Sequence, residues 1–377
     1  MNRSPLLQLA DLGQSVWFDN ISRDLLKSGD LAKLRDRGVR GVTSNPTIFQ
    51  KAIAETKSYD PAIDESGRRG MDALAIFEQL AIEDIRTACD VMRPVYDTTN
   101  GLDGYISLEV SPELAFDTAG TVADAKRLWG RLAKQNVMIK IPGTPEGVPA
   151  IREAIAAGIN INVTLLFSVD AHDAVIDAYI GGLEDRMKAG KPINNIASVA
   201  SFFVSRVDTN IDKQLEDRAA KATPAEAEKL RSLQGGAAIA NAKLAYKLFL
   251  DRFNSPRFAK LRAKGARVQR PLWASTSTKN PKYRDVIYCE QLIGPDTVNT
   301  MPPATVEAFD HHGVAKVTLT SDVTEANATM SRLAAAGIDM KSVCKQLVDE
   351  GVKSFAKSFT DLLAAVESKR TILAAPK

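Results

Sequence analysis

One lysine lies inside a short apolar segment that is typical of a buried strand. Lys140 stands in VMIKIP, residues 137–142, and Gly143 follows the segment. Side chains alternate between the two faces of a strand, so Lys140 shares its face with Met138 and Pro142. Lysine is rarely buried, and removal from water favours its neutral amine, the form that attacks a carbonyl to make a Schiff base. A structural lysine held in an ion pair is the alternative interpretation.

Polar side chains also follow the other strand-like segments, and parallel strands would bring them to one edge of a sheet. Asp19 and Glu109 are candidate acid–base carboxylates, and Arg206 is a candidate cation. Structural alternatives exist for each residue, since Asp19 could cap a helix and Asn45 could serve a turn. Glu109 could simply neutralise Lys140. The full set of candidates is Asp19, Asn45, Glu109, Lys140, Asn162, Thr164, Ser201, Phe203, Arg206, Ser275 and Lys279.

A ring of such groups around one buried amine is harder to explain by packing, because unpaired buried polar groups are costly. The set contains a nucleophilic amine, two carboxylates, amides that could orient hydroxyls and a cation. These are the groups needed to make and break a carbon–carbon bond next to an imine.

Eight short apolar segments alternate with helical patterns along the chain. This alternation is the signature of an α/β fold with a parallel sheet, and eight units favour a closed (β/α)8 TIM barrel over an open doubly wound sheet. Catalytic groups of such barrels lie at the carboxyl ends of the strands. The predicted strands occupy residues 15–20, 39–49, 104–110, 137–142, 161–167, 196–206, 270–276 and 298–303.

Extra helices are predicted at the N-terminus, between strands six and seven (207–268) and in the C-terminal part (304–377), which reads as mostly helical. The segment 316–320, KVTLT, is the exception and is predicted to be extended. No low-complexity linker and no second hydrophobic centre interrupts the sequence, so one domain over 1–377 is expected. The segment 257–270 contains six basic and no acidic residues, for which a solvated helix face is favoured over an anion site.

Three helix starts can be predicted from local sequence. Thr121 and Ser168 each precede an apolar pattern of helical period, so both are predicted to be N-caps. Thr144 and Pro145 are predicted to open another helix with proline in its first turn, and Gly158 to close it.

Composition narrows the class of protein further. The 377 residues are 45% hydrophobic and 25% charged, a composition that favours a soluble globular protein. The net charge of +3 gives no indication of binding to nucleic acid or to a membrane. The N-terminal residues are too polar for a signal peptide. Three scattered cysteines indicate a reducing cytoplasm, and the three histidines have no metal-ligand spacing, so neither metal nor cofactor is expected.

The segments GVTSNPTIF (41–49) and VMIKIPGTPEGVPAIRE (137–153) resemble the two signature stretches of transaldolase. YISLEVSPELAFDT, INVTLLFS and SFFVSRVD are also similar to that family, in its order and spacing, from about Ser15 to about Pro303. The chain length, SLEVSP and LWASTSTKNP resemble its longer bacterial subfamily, within the class I Schiff-base aldolase superfamily.

The resemblance implies a metal-free step of the non-oxidative pentose phosphate pathway. A dihydroxyacetone unit would pass from sedoheptulose 7-phosphate to glyceraldehyde 3-phosphate, giving erythrose 4-phosphate and fructose 6-phosphate. Sugar phosphates are then the expected partners, and a homodimer is compatible with the sequence.

The family's residue roles can be carried over position by position. Lys140 matches the Schiff-base lysine, Asp19 the acid/base at the C4 hydroxyl, and Glu109 with Thr164 the pair that handles a water. The remaining positions match substrate-binding groups: Asn45 and Asn162 for the dihydroxyacetone hydroxyls, Ser201 and Phe203 for the pocket, and Arg206 and Ser275 for phosphate.

One position departs from the family pattern. Many transaldolases have a second arginine shortly after the serine of strand seven, whereas this chain has Lys279, which supplies charge but not a forked donor. Which of Ser275, Thr276, Ser277 and Lys279 contacts phosphate stays open. Two other functions remain: an aldolase that releases free dihydroxyacetone, against which Phe203 in place of tyrosine argues, and a non-enzymatic phosphosugar-binding barrel.

Overall fold

Eight parallel strands close into a barrel in the computed structural model, which describes residues 4–374. The eight predicted strands are confirmed, although the second is shorter than expected because Asn45 starts a helix. The strands are β1 Gln14–Phe18, β2 Val39–Val42, β3 Ile106–Glu109, β4 Val137–Pro142, β5 Ile161–Leu166, β6 Ser198–Phe203, β7 Gln269–Ala274 and β8 Thr297–Met301.

The register of three neighbouring strands brings candidate residues to one level. Glu109 of β3 lies opposite Lys140 of β4, and Lys140 lies opposite Asn162 of β5. The first strand also pairs in parallel with the last, which closes the barrel. Parallel strands place all their carboxyl ends on one face, so the fold itself gathers side chains that are far apart in sequence.

Helices surround the barrel. Those on the first half are α1 Pro5–Asp11, α2 Arg23–Lys27, α3 Asp30–Arg37, α4 Pro46–Glu55, α5 Asp60–Arg68, α6 Ala73–Thr98, α7 Thr118–Leu132 and α8 Gly147–Ala157. Those on the second half are α9 Val169–Lys188, α10 Ser205–Ala219, α11 Pro224–Arg231, α12 Ala237–Phe253, α13 Pro256–Arg262, α14 Ile287–Gln291, α15 Pro303–His312, α16 Val323–Ala335 and α17 Met340–Ala374. A 3₁₀ helix spans Pro112–Leu114. Between residues 4 and 374, none of these helices has the length and apolar character needed to cross a membrane.

One of the predicted N-caps is confirmed and another is wrong. The Ser168 hydroxyl accepts a hydrogen bond from the Ala171 N–H at the start of α9. Thr121 instead lies inside α7, where its hydroxyl donates to the Leu114 carbonyl. The cap of α7 is Asp117, whose carboxylate accepts from Gly120 N–H. Asp117 immediately precedes the helix, so its carboxylate is the group that lies beside the free amides of the first turn.

Hydrogen bonding bears out the predicted opening of α8 at Thr144 and Pro145. The Thr144 hydroxyl accepts from Gly147 N–H (3.0 Å) and the Thr144 carbonyl accepts from Val148 N–H (3.0 Å), as at a helix N-cap. The regular helix begins at Gly147, because Pro149 has no N–H to donate to the Pro145 carbonyl. A Cβ at Gly147 would lie 2.0 Å from the Pro142 carbonyl oxygen, so this turn requires glycine, and Gly158 ends the helix as predicted.

Helical additions lie where the sequence predicted them, at the N-terminus, between β6 and β7 and after β8. The segment 316–320 was predicted to be extended and is not a strand. The last helix, α17, packs along α4, α5 and α6 and returns to the barrel. Residues 1–3 and 375–377 of the predicted domain lie outside the described residues.

A polar network lies near the amino-terminal ends of the strands. Arg270 donates to the Asp103 carboxylate (2.8 Å) and to the Ser15 hydroxyl (2.8 Å), and Trp17 donates to the same carboxylate (3.1 Å). Both charged side chains are buried. The basic segment 257–270 is therefore not simply a solvated helix face, because its last arginine is enclosed in the barrel.

Candidate active site

A cavity of about 650 Å³ opens at the carboxyl ends of the strands. We call it the main cavity. Most of the predicted site residues line it, whereas Glu109 and Asn162 are buried beside it. The predicted residues along its wall are Asp19, Asn45, Lys140, Thr164, Ser201, Phe203, Arg206, Ser275 and Lys279.

Lys140 lies at the base of the main cavity, and its residue is 5% exposed. Its Nζ donates a hydrogen bond to the Ser44 carbonyl (3.1 Å) and lies 3.5 Å from Glu109 Oε2. The ring of Phe355, from α17, has its centroid 5.8 Å from the same nitrogen. The amine is therefore enclosed on three sides and open only toward a space large enough for a sugar.

Two carboxylates flank this amine. Burial raises the pKa of the Asp19 carboxyl, while the charge of Lys140 and a hydrogen bond from the Thr43 hydroxyl (2.6 Å) hold it down. Burial likewise raises the pKa of Glu109, against the opposing charge of Lys140. A raised pKa brings the titration of each carboxyl closer to pH 7, where the group can both donate and accept a proton.

Two polar side chains near Lys140, those of Asn162 and Thr164, are fully buried. The Asn162 amide donates to the Ser107 hydroxyl (3.0 Å) and accepts from the Ser201 hydroxyl (2.7 Å). The Thr164 hydroxyl has no hydrogen-bond partner among the described residues, although it faces the main cavity. An unpaired buried hydroxyl is costly, so Thr164 is prepared to bind a water or substrate oxygen.

Asn45 caps a helix and also lines the main cavity. Its side-chain oxygen accepts from Ile48 N–H and so caps α4, which bears out the structural interpretation of this residue. The same side chain lines the main cavity, which leaves its amide N–H groups to face a ligand. Capping fixes the orientation of the amide rather than competing with binding.

The far end of the main cavity is cationic. Arg206 stacks over the ring of Phe203, with 5.1 Å between the guanidinium carbon and the ring centroid, and burial lowers its pKa. Lys279 donates to the Ser277 hydroxyl (2.9 Å), and both line the cavity. A forked cation, an ammonium and hydroxyls together suit a phosphate.

The loop after β7 places three of its four candidate residues on the main cavity. Ser275, Ser277 and Lys279 face the main cavity, whereas the buried Thr276 hydroxyl donates to Asn299 (2.9 Å). Ser275 has a positive φ of 56°, a conformation that turns the loop back toward Ser205, whose hydroxyl lies 2.9 Å away.

Sequence reasoning missed several residues of the cavity wall. Thr43 and Thr300 lie at the ends of β2 and β8 and hydrogen-bond each other (2.6 Å) beside Asp19, and listing every polar strand end would have found them. Phe355 comes from a helix more than two hundred residues after Lys140, and no local signal points to it. Within residues 4–374, no three His, Cys, Asp or Glu side chains are grouped so as to hold a metal ion.

The fold and the cavity define a (β/α)8-barrel protein with a buried amine between carboxylates at the carboxyl ends of its strands. The sequence profile of the Transaldolase/Fructose-6-phosphate aldolase family matches residues 16–366, and the chain belongs to this family.

Curated relatives cover nearly the whole chain. It is 47% identical over 373 residues to "Transaldolase 2" of Nostoc sp. (strain PCC 7120), spanning 98% of both chains. It is 48% identical over 364 residues to "Transaldolase" of Acidothermus cellulolyticus, spanning 96% of both chains. A protein of the same name from Thermobifida fusca is 48% identical over 369 residues, 96% of this chain and 97% of the relative.

Proposed function

We propose that this chain is a transaldolase that carries a dihydroxyacetone unit as an imine on Lys140. The donor is sedoheptulose 7-phosphate and the acceptor is glyceraldehyde 3-phosphate, giving erythrose 4-phosphate and fructose 6-phosphate in the pentose phosphate pathway. The observation that carries the proposal is the buried amine of Lys140, 3.5 Å from a carboxylate and facing a sugar-sized cavity with a cationic far end.

The reaction begins at the base of the main cavity. Lys140 Nζ adds to the ketose C2 carbonyl, and Glu109 protonates the resulting hydroxyl so that it leaves as water. The protonated imine then withdraws electrons from the C3–C4 bond. Asp19 takes the proton of the C4 hydroxyl, the bond breaks, and an enamine remains on Lys140.

The enamine must survive until the acceptor arrives. Phe203 is 7% exposed and packs on Phe167 with 5.1 Å between ring centroids, so this side of the cavity offers no proton donor. Exclusion of water protects the carbanion-like intermediate from protonation. In related aldolases that release free dihydroxyacetone, a tyrosine at this position can help a water act, so Phe203 favours transfer over release.

The phosphate and hydroxyl groups are held by the rest of the wall. Arg206, Ser275 and Lys279 bind the phosphate, while Asn45, Asn162 and Ser201 orient the hydroxyls of the three-carbon unit. Sugar phosphates are thus the proposed ligands, and the cytoplasm, where they are made, is the proposed compartment. The chemistry needs neither nucleic acid nor a membrane surface.

Borohydride trapping tests the covalent step. Fructose 6-phosphate and borohydride should leave one reduced three-carbon or six-carbon adduct on a peptide that contains Lys140, found by mass spectrometry. Lys140→Arg keeps the charge but cannot form the imine, so it should give no adduct and no turnover. An unmodified wild-type Lys140, or substantial turnover by the arginine variant, contradicts the proposal.

A second assay separates transfer from release. With fructose 6-phosphate alone, free dihydroxyacetone should appear much more slowly than fructose 6-phosphate is consumed when an aldehyde acceptor is present. Equal rates with and without acceptor would identify an aldolase. A bound sugar phosphate with neither adduct nor turnover would identify a binding barrel.

A further inference from the structure

A second cavity, of about 320 Å³, reaches the same site from the side of the barrel. We call it the side cavity. It lies between the loop after β3 and the helices α4, α6, α7 and α17. The lining residues used below are Asn45, Leu74, Glu109, Glu113, Phe359 and Leu363.

The two cavities meet at the residues that handle the imine. Lys140 and Thr164 line the main cavity, Glu109 lines the side cavity, and Asn45 lines both. Since Glu109 Oε2 is 3.5 Å from Lys140 Nζ, the inner end of the side cavity is separated from the reacting amine only by the Glu109 carboxylate. Its outer end reaches solvent at Glu113, which is exposed, and at Leu74, which is 44% exposed.

The inner end of the side cavity is prepared for water. Among the described residues, Glu109 Oε1 has no hydrogen-bond partner and Oε2 has the ion pair with Lys140 at 3.5 Å but no hydrogen bond, although the side chain is only 3% exposed. Buried polar groups of this kind normally bind ordered water. At about 30 Å³ for each molecule, the side cavity has room for about ten waters.

The remaining walls allow water to pass. Phe49, Phe77 and Phe359 form an edge-to-face series with ring centroids 5.7 and 5.8 Å apart, and all three line the side cavity. Apolar walls offer few hydrogen bonds that would hold a passing molecule, whereas Glu109 at one end and Glu113 at the other attract it. Such a passage suits water.

The proposed chemistry needs such a passage. Forming the imine breaks the C2–O bond and releases one water, whose second proton comes from Glu109. Hydrolysis reverses this step: a water oxygen bonds to C2, its proton passes to Glu109, and the C–N bond to Lys140 then breaks. While a sugar occupies the main cavity, it lies between the reacting carbon and the opening of that cavity.

We propose that the side cavity is the route by which this water exchanges with solvent while the sugar is bound. The inference rests on the proposed imine mechanism and adds a separate path for its by-product. Glu109 stands at the junction, so the carboxylate that donates and accepts the proton also receives the water. The apolar face of the main cavity can then stay dry around the enamine.

Transfer in H₂¹⁸O tests this route. Each imine cycle that exchanges its water with solvent places ¹⁸O at C2 of the ketose, and each cycle that retains its water does not. Leu74→Trp fills the outer end of the side cavity, and Leu363→Trp fills its wall from α17. Both variants should lower the ¹⁸O gained per transfer several-fold while the transfer rate changes little. Spontaneous exchange, measured without enzyme, is subtracted.

The matched control is Leu102→Trp, at a leucine that is 48% exposed and lies before β3, at the opposite end of the barrel. It should label product as the wild type does. Unchanged ¹⁸O per transfer in both cavity variants, or equal losses of label and transfer, would overturn the route. If wild-type protein forms no borohydride adduct, the proposed function fails; if it forms one and only labelling is unaffected, the water route alone fails.

Discussion

The nitrogen of Lys140 is held by two polar contacts in a buried site. The residue is 5% exposed, and its Nζ donates to the Ser44 carbonyl at 3.1 Å and lies 3.5 Å from Glu109 Oε2. The ion pair that the sequence offered as the structural alternative is therefore present. Glu109 is also the proton donor of the proposed imine mechanism, so the same contact places it beside the reacting nitrogen.

Arg206 is the residue on which selectivity for phosphorylated sugars is expected to depend. Arg206→Ala removes the forked cation and leaves Lys279 and Lys51 on the cavity wall, which supply charge but no fork. The KM for fructose 6-phosphate should therefore rise by about 10–100-fold, as for a lost charge-assisted hydrogen bond of about 1.5–3 kcal/mol. Steady-state kinetics with fructose 6-phosphate and fructose measure this change.

The control for this prediction is Arg231→Ala, an exposed arginine paired with Glu216. Its kinetics should match those of the wild type. If Arg206→Ala keeps the wild-type preference for fructose 6-phosphate over fructose, Arg206 does not bind phosphate.

Residues that end strands could be predicted, and residues brought by distant helices could not. Asp19, Glu109 and Lys140 follow from strand periodicity plus the rule that parallel strands share a carboxyl edge. Phe355 could not be found, because the packing of α17 onto the barrel depends on contacts distributed along its whole length. The position of Glu109 behind the main cavity also depends on register, which periodicity alone does not fix.

Single elements were predicted well where one local interaction decides them. Ser168 caps α9 because its hydroxyl satisfies a free amide at the helix start, with no competitor nearby. Prediction failed where two local signals compete, as for Asp117 against Thr121. The segment 316–320 failed because its β-branched residues have no free strand edge to join in a closed barrel.

Asp208 links two helices of the addition between β6 and β7 to a third helix that follows β7. Its carboxylate on α10 accepts from Ala238 N–H at the start of α12 (2.7 Å) and lies 2.8 Å from the Tyr288 hydroxyl of α14. Burial raises the pKa of Asp208 to about 7. The folded chain therefore holds a proton here over a pH range in which an unfolded aspartate, with a pKa near 4, has lost it.

This difference predicts how stability depends on pH. Between about pH 4 and pH 7 the folded state binds one more proton, so the free energy of unfolding falls as the pH rises, by about 1.4 kcal/mol per pH unit at most. Asp208→Asn keeps both contacts without titrating, so its stability should fall less over this window and exceed that of the wild type near pH 8. Thermal melts at pH 5 and pH 8 measure the difference.

Asp217→Asn, at an exposed position of the same helix, is the matched control and should follow the wild-type curve. Parallel pH curves for Asp208→Asn and the wild type would show that Asp208 is ionised throughout the window in the folded chain.

The two ends of the barrel divide function from stability. The carboxyl end holds the main cavity, with groups such as the Thr164 hydroxyl that have no hydrogen-bond partner within residues 4–374. The amino end holds the network of Ser15, Asp103 and Arg270, in which the buried charges are paired and hydrogen-bonded. A buried ion pair that joins β1, the loop before β3 and β7 ties together strands that are not neighbours, so it acts on the barrel as a whole.

Removing one partner of this pair tests that division and the single-domain prediction together. Asp103→Asn leaves the Arg270 guanidinium buried without a counter-charge, which should lower the free energy of unfolding by about 3–5 kcal/mol. The exposed pair of Asp90 and Lys134 gives the control, since Asp90→Asn should cost less than about 1 kcal/mol. Urea unfolding followed by far-UV circular dichroism and by tryptophan fluorescence measures both variants.

Because one cluster of buried apolar residues extends from Leu6 to Val366, the two probes should report one coincident transition for each protein. In Asp103→Asn, only the urea concentration at the midpoint of this transition should change. The turnover of the folded variant should stay close to that of the wild type, since Asp103 lies at the end of the barrel away from Lys140. Two separated transitions would contradict a single domain, and a loss of turnover without a loss of stability would contradict the assignment of the amino end to stability alone.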